Sequence, residues 1–315
     1  MYTLLTDDPL IAAQFIRDGK IVAFPTETVY GLGANIFDVS AVLSIFTAKG
    51  RPDDNPLIAH ICELADLPQL TANVTKSAAE FIQVFFPGPL TVILPKHENV
   101  PVQATGGLDT IGIRMPSHPL ALDFIRACGV PLVAPSANLS GKPSPTSWTS
   151  VRDDLDGRIP CILKGEPTQV GLESTVVDCT TESPVILRAG AITLEQLREV
   201  NPATKFANRL SGEPARSPGM KYKHYAPQAQ VVVIDRTASF TYESDTAFIG
   251  LLHPVESSNF KRVLLAQNIS EYSRAVFQFF RDCDAEGIKT IYCEAVEEAG
   301  LGVALMDRIR RASYR

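Results

Sequence analysis

Paired cysteines are missing from this sequence. Its six cysteines, Cys62, Cys128, Cys161, Cys179, Cys283 and Cys293, form no C-x-x-C pair, and no His/Cys cluster has zinc spacing, which excludes a zinc-ribbon module. They sit singly in apolar runs such as PCILKG and TIYCEA, where a free thiol packs as a small hydrophobe, so buried, reduced thiols are expected. There is no G-x-x-x-x-G-K-[ST] phosphate loop and no G-x-S-x-G nucleophile turn. No excess of positive charge exists either. A net charge of −6 argues against a protein whose main task is wrapping a phosphate backbone, although a local basic patch is compatible with it. No apolar run approaches the roughly 18 residues of a membrane span. The first twenty residues, MYTLLTDDPLIAAQFIRDGK, lack the basic start and apolar core of a signal peptide. A cytoplasmic protein without a membrane partner is expected.

What is present is ample material for a core: 315 residues, 45% hydrophobic and 20% charged. That length accommodates two domains of about 100–200 residues each. Helices are expected over 9–18, stopped by Gly19; from an Asp38 cap to Gly50; over 75–86; from a Ser117 cap to Cys128, with Pro119 in the first turn; and over 193–200. Apolar strands are expected at 20–24, 57–61, 90–94, 110–114, 132–134, 161–164, 174–178 and 184–188. Strands and helices interleave, but several strands follow one another directly, which predicts a twisted mixed α/β sheet rather than a doubly wound one. Residues 201–229 carry four prolines and almost no periodicity, the mark of a long linker, and the Tyr222, His224, Tyr225 cluster favours a functional one. The pattern then restarts, with strands at 231–234, 247–251, 263–266 and 288–293 and helices at 270–286 and 302–311. The expected organisation is thus a catalytic domain over 1–200, a linker over 201–229 and a smaller Rossmann-like α/β domain over 230–315.

Polar and basic groups recur at the ends of the expected strands, where ligands sit in α/β sheets. PTETVYGLG at 25–33 is either an ordinary polar turn or a ligand loop whose Thr26 and Thr28 hydroxyls bind while its glycines admit a backbone. KGRPDDNP at 49–56 is either a solvated helix end, favoured by the dipole, or a phosphate clamp with Arg51 bidentate and Lys49 a point charge. His60 is either a satisfied core histidine or part of the site. Arg114 ends an apolar strand and needs an anionic partner or solvent. SANLSG at 136–141 with Ser144 offers small hydroxyls for phosphates, and Glu173-Ser174-Thr175 and Arg188-Ala189-Gly190 border further strands. Together they suit an anionic nucleotide and a small charged co-substrate. With no nucleophile–base pair, catalysis by positioning and charge stabilisation fits best.

As an ordered set, KIVAFPTETVYGLG, KGRPDDNPLIAHI, FFPGPLTVIL, IGIRMPSHP, APSANLSGKPSPT, GLESTVVD and ILRAG resemble the threonylcarbamoyl-adenylate synthases of the YrdC-like family over about residues 5–200. SPGMKYKHYAP and the tail are similar to the linker and extra domain of the longer members. The resemblance implies a YrdC-like first domain and a reaction of L-threonine, bicarbonate or carbon dioxide, and ATP to threonylcarbamoyl-AMP and pyrophosphate. Magnesium accompanies the ATP, and no resident metal is implied. A downstream threonylcarbamoyl transferase complex then modifies tRNA at adenosine 37, so any tRNA contact is expected to be indirect. Carried over, Thr28, His60, Arg114, Ser174 and the Ala134 backbone hold threonine. Arg51, Asn55, Thr110, Ser136, Ser144 and Arg188 contact ATP, Lys49 is a second phosphate ligand, and Tyr225 reaches over the nucleotide. Lys49 and Arg51 are the implied catalytic pair. Gly50 departs from the family, where a bulkier, often basic residue is common. Glu27 and Tyr30 receive no role. Two rivals are weaker: a nucleic-acid-binding module lacks the charge and the aromatic-basic interleaving, and a hydrogenase-maturation carbamoyl-transfer protein lacks its cysteine pairs and acylphosphatase segment.

Overall fold

The computed structural model describes residues 2–207, 225–235, 245–252 and 260–313. The first part comprises β1 (Leu4–Thr6), α1 (Pro9–Arg17), β2 (Val22–Phe24), β3 (Gly31–Asn35), α2 (Val39–Lys49), β4 (Ile58–His60), α3 (Leu67–Leu70), α4 (Lys76–Phe85), β5 (Leu90–Pro95), α5 (Val102–Thr105), β6 (Thr110–Arg114), α6 (Pro119–Cys128), β7 (Leu132–Val133), α7 (Trp148–Leu155), β8 (Cys161–Leu163), β9 (Thr175–Asp178), β10 (Val185–Arg188), α8 (Leu194–Val200) and β11 (Lys205–Phe206). The second comprises β12 (Gln230–Ile234), β13 (Thr246–Gly250), β14 (Arg262–Leu265), α9 (Ile269–Ala285), β15 (Thr290–Glu294) and α10 (Leu301–Ser313).

Local chemistry sets the helix ends. Asp8, Asp38, Thr75, Ser147 and Asn268 each accept a first-turn backbone N–H through the side chain, and Thr193 forms a reciprocal capping box with Gln196. The cap of α6 is His118 rather than Ser117 and makes no side-chain bond, because Pro119 at the first position already fixes the helical φ.

The first eleven strands form one mixed sheet in the order β1-β8-β2-β3-β7-β4-β6-β5-β9-β10-β11. Parallel pairs (β4 with β6, β5 with β9) are mixed with antiparallel ones (β2 with β3, β5 with β6). β12 to β15 form a separate, fully parallel sheet in the order β12-β15-β13-β14. Both sheet classes match the expectation. β11 pairs with β10, so the first sheet extends into the stretch expected to be linker. Of that linker, Tyr222 and His224 lie outside the described residues.

Three sequence expectations change. GLG in PTETVYGLG is not loop but the start of β3, and its glycines serve packing. A Cβ on Gly33 would meet the Phe24 ring at 3.0 Å and one on Gly31 would meet Ala134 Cβ at 3.2 Å. β1, too short to show a period, forms because it pairs with β8. α7 carries too many polar residues to show an apolar stripe, yet its Ser147 cap and buried Val151 and Leu155 place it.

The two parts share a core. Val29 and Leu172 from the first belong to the cluster of Phe277, Phe280, Leu305 and Ile309 from the second. Arg281 of α9 pairs with Asp154 at 2.8 Å, and Gln278 accepts from Ser150 at 3.0 Å. Gly171, at φ +79°, sits so close to α9 that a Cβ would fall 2.3 Å from Arg274 Cα. Gly171→Ala is therefore expected to cost on the order of 3 kcal/mol, from backbone overpacking plus a left-handed φ. Gly50→Ala, at φ +59° with nothing within 4 Å, loses only about 1 kcal/mol. Urea midpoints compare them, and equal losses would sink the close-approach explanation.

Candidate active site

One cavity gathers residues from segments far apart in sequence. Thr26, Thr28, Arg51, His60, Arg114, Ala134, Ser136, Glu173, Ser174, Arg188 and Tyr225 all line it. Eight of the expected site residues therefore converge: Thr28, Arg51, His60, Arg114, Ala134, Ser136, Ser174 and Arg188, with Tyr225, from the 201–229 stretch, closing the wall.

The sheet explains the convergence. β4 and β6 run parallel with His60 opposite Arg114, so two strand ends deliver a histidine and an arginine side by side. Arg114 is buried and held on three sides: Nε donates to Gly88 O at 3.3 Å, Nη1 to Thr28 Oγ1 at 2.9 Å, and Nη2 pairs with Glu27 Oε1 at 2.7 Å. This gives Glu27 a place: it is the fixed counter-ion of Arg114. Hydrogen bonds use two of the five guanidinium donors, and the two N–H groups on Nη2, ion-paired with Glu27 but in no aligned hydrogen bond, remain for a ligand.

His60 Nδ1 lies 3.1 Å from Ile58 O, so Nδ1 carries the proton and Nε2 is an acceptor in the neutral ring. Burial, with the Arg114 charge adding to it, lowers the His60 pKa to about 3. On the other wall Arg188 Nε donates to Ser174 O and Nη2 to Ser174 Oγ, both at 3.1 Å, and Ser174 Oγ meets Thr91 Oγ1 at 2.8 Å. Arg51 donates weakly to Asn55 O and Pro56 O at 3.4 and 3.3 Å.

Four expected residues do not line this cavity. Lys49 is buried beneath the SANLSG loop, where Nζ donates to Ser136 O at 2.5 Å and Asn138 O at 2.6 Å. Burial and the nearby Arg51 charge push its pKa well below the ordinary lysine value. Asn55 is fully buried behind the wall, both side-chain amide atoms without a hydrogen-bond partner. Thr110, at the far end of β6 from Arg114, lines a separate small depression with Pro56, Ile58 and Leu108. Ser144 donates to Glu173 Oε1 at 2.5 Å. Tyr30 is structural: its hydroxyl donates to Gly165 O at 2.9 Å and accepts from Gly165 N at 3.0 Å.

Two further residues join the site without a role assigned from the sequence, where Glu173 stood only as part of a strand-border motif. Glu173 lines the cavity, and Arg308 of α10 reaches it with Nε 2.8 Å from Glu173 Oε2. A signal for Arg308 existed. It occupies the apolar stripe of α10 with Ala304, Leu305, Ile309 and Ala312, a position where an arginine demands a buried anion.

Comparison with known proteins gives the family. Residues 14–190 match the Sua5/YciO/YrdC family model, described as "Telomere recombination", and residues 192–313 match the model described as "Threonylcarbamoyl-AMP synthase, C-terminal domain". The chain belongs to the Sua5/YciO/YrdC family. The threonylcarbamoyl-AMP synthase of Pyrococcus abyssi is 44% identical over 97% of this chain and 94% of its own length. That of Bacillus subtilis is 41% identical over 98% of this chain and 94% of its length. The crystal structure of P. abyssi Sua5 complexed with L-threonine superposes with a TM-score of 0.91 at 42% identity, covering 99% of this chain and 98% of that one. Both parts of the present chain, and not the Sua5/YciO/YrdC region alone, are therefore shared with these relatives.

Two stability predictions follow from the buried groups. Between pH 6.5 and about 3 the unfolded chain protonates His60 while the native chain does not. Stability then falls as pH drops through that window and is unaffected above it. At pH 5 the loss amounts to about 2 kcal/mol, so His60→Gln flattens the pH–stability curve by that amount. A variant curve parallel to the wild type between pH 7 and 5 would overturn the assignment of a neutral buried ring. Lys49→Met strands two buried carbonyl groups and is expected to cost about 2–3 kcal/mol. Arg51→Met, at the cavity edge, costs less than about 1 kcal/mol. Urea unfolding of the two variants checks the contrast.

Proposed function

We infer that this chain is a threonylcarbamoyl-AMP synthase: a nucleotidyltransferase that joins L-threonine, bicarbonate or carbon dioxide, and ATP, and releases pyrophosphate. The observation that carries this reading is the cavity itself, which combines Arg114 and its two uncommitted donors with a neutral His60 and two further arginines, in a chain that matches a threonine-bound relative over its whole length.

The threonine carboxylate would take the two remaining Arg114 donors, and Thr28 fixes the guanidinium that presents them. Because Glu27 already balances Arg114, recognition comes from oriented donors more than from net charge. Nε2 of His60 can accept from the substrate hydroxyl or amine, and Ser174 and the Ala134 backbone complete the pocket. Carbon dioxide adds to the amine, the carbamate oxygen attacks the α-phosphorus, and the P–O bond to the pyrophosphate group breaks. Arg51 and Arg188 offset the phosphate charge while Ser136 bonds to the nucleotide, which is catalysis by positioning and electrostatics. ATP enters as its magnesium complex. Asn55, Thr110 and Ser144 act behind the nucleotide subsite, and Lys49 stiffens the SANLSG loop from beneath. Tyr225, in the cavity wall, shields the mixed anhydride from water.

We assign this chemistry to residues 1–200, closure of the site to 201–229, and support of the wall to 230–315. The product passes in the cytoplasm to a threonylcarbamoyl transferase acting on tRNA. No helix among the described residues is long and apolar enough to cross a membrane.

Incubation with ATP, magnesium, L-threonine and labelled bicarbonate is expected to yield a labelled adenylate, dependent on threonine. Arg114→Ala and Arg51→Ala each lower turnover on the order of 10²–10³-fold, the usual effect of deleting one charge-stabilising donor. No labelled adenylate from the wild type would refute the activity, and wild-type turnover in both variants would refute the site.

A further inference from the structure

Arg308 of the second part contacts two residues of the cavity wall. Arg308 is fully buried. Its guanidinium spends all of its nitrogens on specific acceptors: Nε on Glu173 Oε2 at 2.8 Å, Nη1 on Asp307 Oδ2 at 2.7 Å, and Nη2 on Ala189 O at 3.0 Å. It also lies 5.3 Å from the centroid of the Tyr225 ring. Glu173 and Tyr225 both line the cavity, whereas Arg308 does not. We propose that Arg308 is a positioning residue for the reaction: from the second domain it neutralises Glu173 and seats Tyr225, and so completes the nucleotide wall of the site. This rests on the activity inferred above.

Three observations support it. First, Glu173 is a carboxylate facing a cavity meant for polyanions. Burial alone pushes its pKa up, but the Arg308 and Arg188 charges outweigh burial and hold it below the ordinary carboxylate range, so it stays ionised. An ionised carboxylate there repels an incoming triphosphate unless a cation behind it cancels the field. Arg188 acts on Glu173 through its charge, and Arg308 both acts through its charge and hydrogen-bonds the carboxylate.

Second, the pair fixes geometry as well as charge. The other Glu173 oxygen accepts from Ser144 Oγ at 2.5 Å, and Ala226 N, next to Tyr225, donates to Gly141 O at 2.9 Å. Arg308 thus anchors both ends of the 141–144 loop that follows Ser136, one through Glu173 and one through Tyr225. Third, Tyr225 is the one non-glycine residue at positive φ among the described residues, at 67°, a conformation that persists only when its surroundings over-determine it. The surroundings are Arg308 and Phe277, whose ring stacks on Tyr225 at 5.3 Å and 23°. Both belong to the second domain.

The test separates charge compensation from simple scaffolding. Arg308→Met, Arg308→Lys, Glu173→Gln and the double variant Glu173→Gln/Arg308→Met are made in the full chain, and KM for ATP, KM for threonine and kcat are measured by adenylate formation. Arg308→Met is expected to raise KM for ATP at least tenfold with a smaller change in KM for threonine. The double variant recovers most of that loss, because no uncompensated carboxylate is left. Arg308→Lys, which keeps charge and fold, falls between. Equilibrium dialysis of ATP against the same proteins reports the same order without turnover. A scaffolding role predicts instead a lower active fraction with unchanged KM, and no recovery in the double variant. Either an unchanged KM for ATP in Arg308→Met, or a double variant no better than the single one, overturns the proposal while leaving the activity standing. Absence of turnover in the wild type overturns both.

Discussion

A buried carboxylate keeps its charge only where cations face it, and the Glu173–Arg308 pair is where this molecule meets that constraint. Neither partner has another place to go. Glu173 precedes Ser174 at the start of β9 and is committed to the cavity wall, and Arg308 on α10 is held by Glu173 and the Ala189 carbonyl. Removing one partner of such a pair leaves the other as an uncompensated charge in low dielectric, a far larger cost than the pair's net worth. The two parts of the chain are therefore bound by a mutual requirement more than by a strong attraction.

The same logic organises the opposite wall with different components. Arg114 is balanced by Glu27 within a single domain, both side chains almost wholly buried, and is aimed by Thr28 and Gly88. One wall of the cavity is thus self-sufficient in charge, while the other depends on a residue more than a hundred positions away in sequence. His60 fits beside Arg114 because it stays neutral. A second cation there would add repulsion without adding a donor that the guanidinium lacks.

Sequence carried much of this. Asp38 to Gly50, Thr75 to Phe86 and the helix over 193–200 were legible because capping and termination are local. The motif order also named the cavity residues, since strand ends collect polar groups. What was hidden depended on partners distant in sequence. β3 begins with glycines because of the Phe24 ring, Lys49 turns inward because two carbonyls of the 136–138 segment sit above it, and Ser144 serves Glu173. A helix-terminal lysine and a small hydroxyl look the same in sequence whether they meet a ligand or a backbone. Glu27 and Arg308 were hidden for a related reason: a charge on an apolar face announces a partner without saying which.

The position of the cavity relative to the second core explains why the extra domain cannot be a passive appendage. Val29 buries its side chain in that core, and its neighbour Thr28 lines the cavity; Leu172 does the same, with Glu173 as its neighbour. Both loops therefore lie between the cavity and the second core, and Val29 lines the one while packing in the other. A protein interior is close-packed and transmits small displacements. A shift of α9 or α10 is therefore passed to Val29 and Leu172, the neighbours of Thr28 and Glu173. Gly171 shows how little slack exists, since its backbone lies against that of α9 with no room for a methyl group. The second domain sets the shape of the cavity by being the other face of its walls.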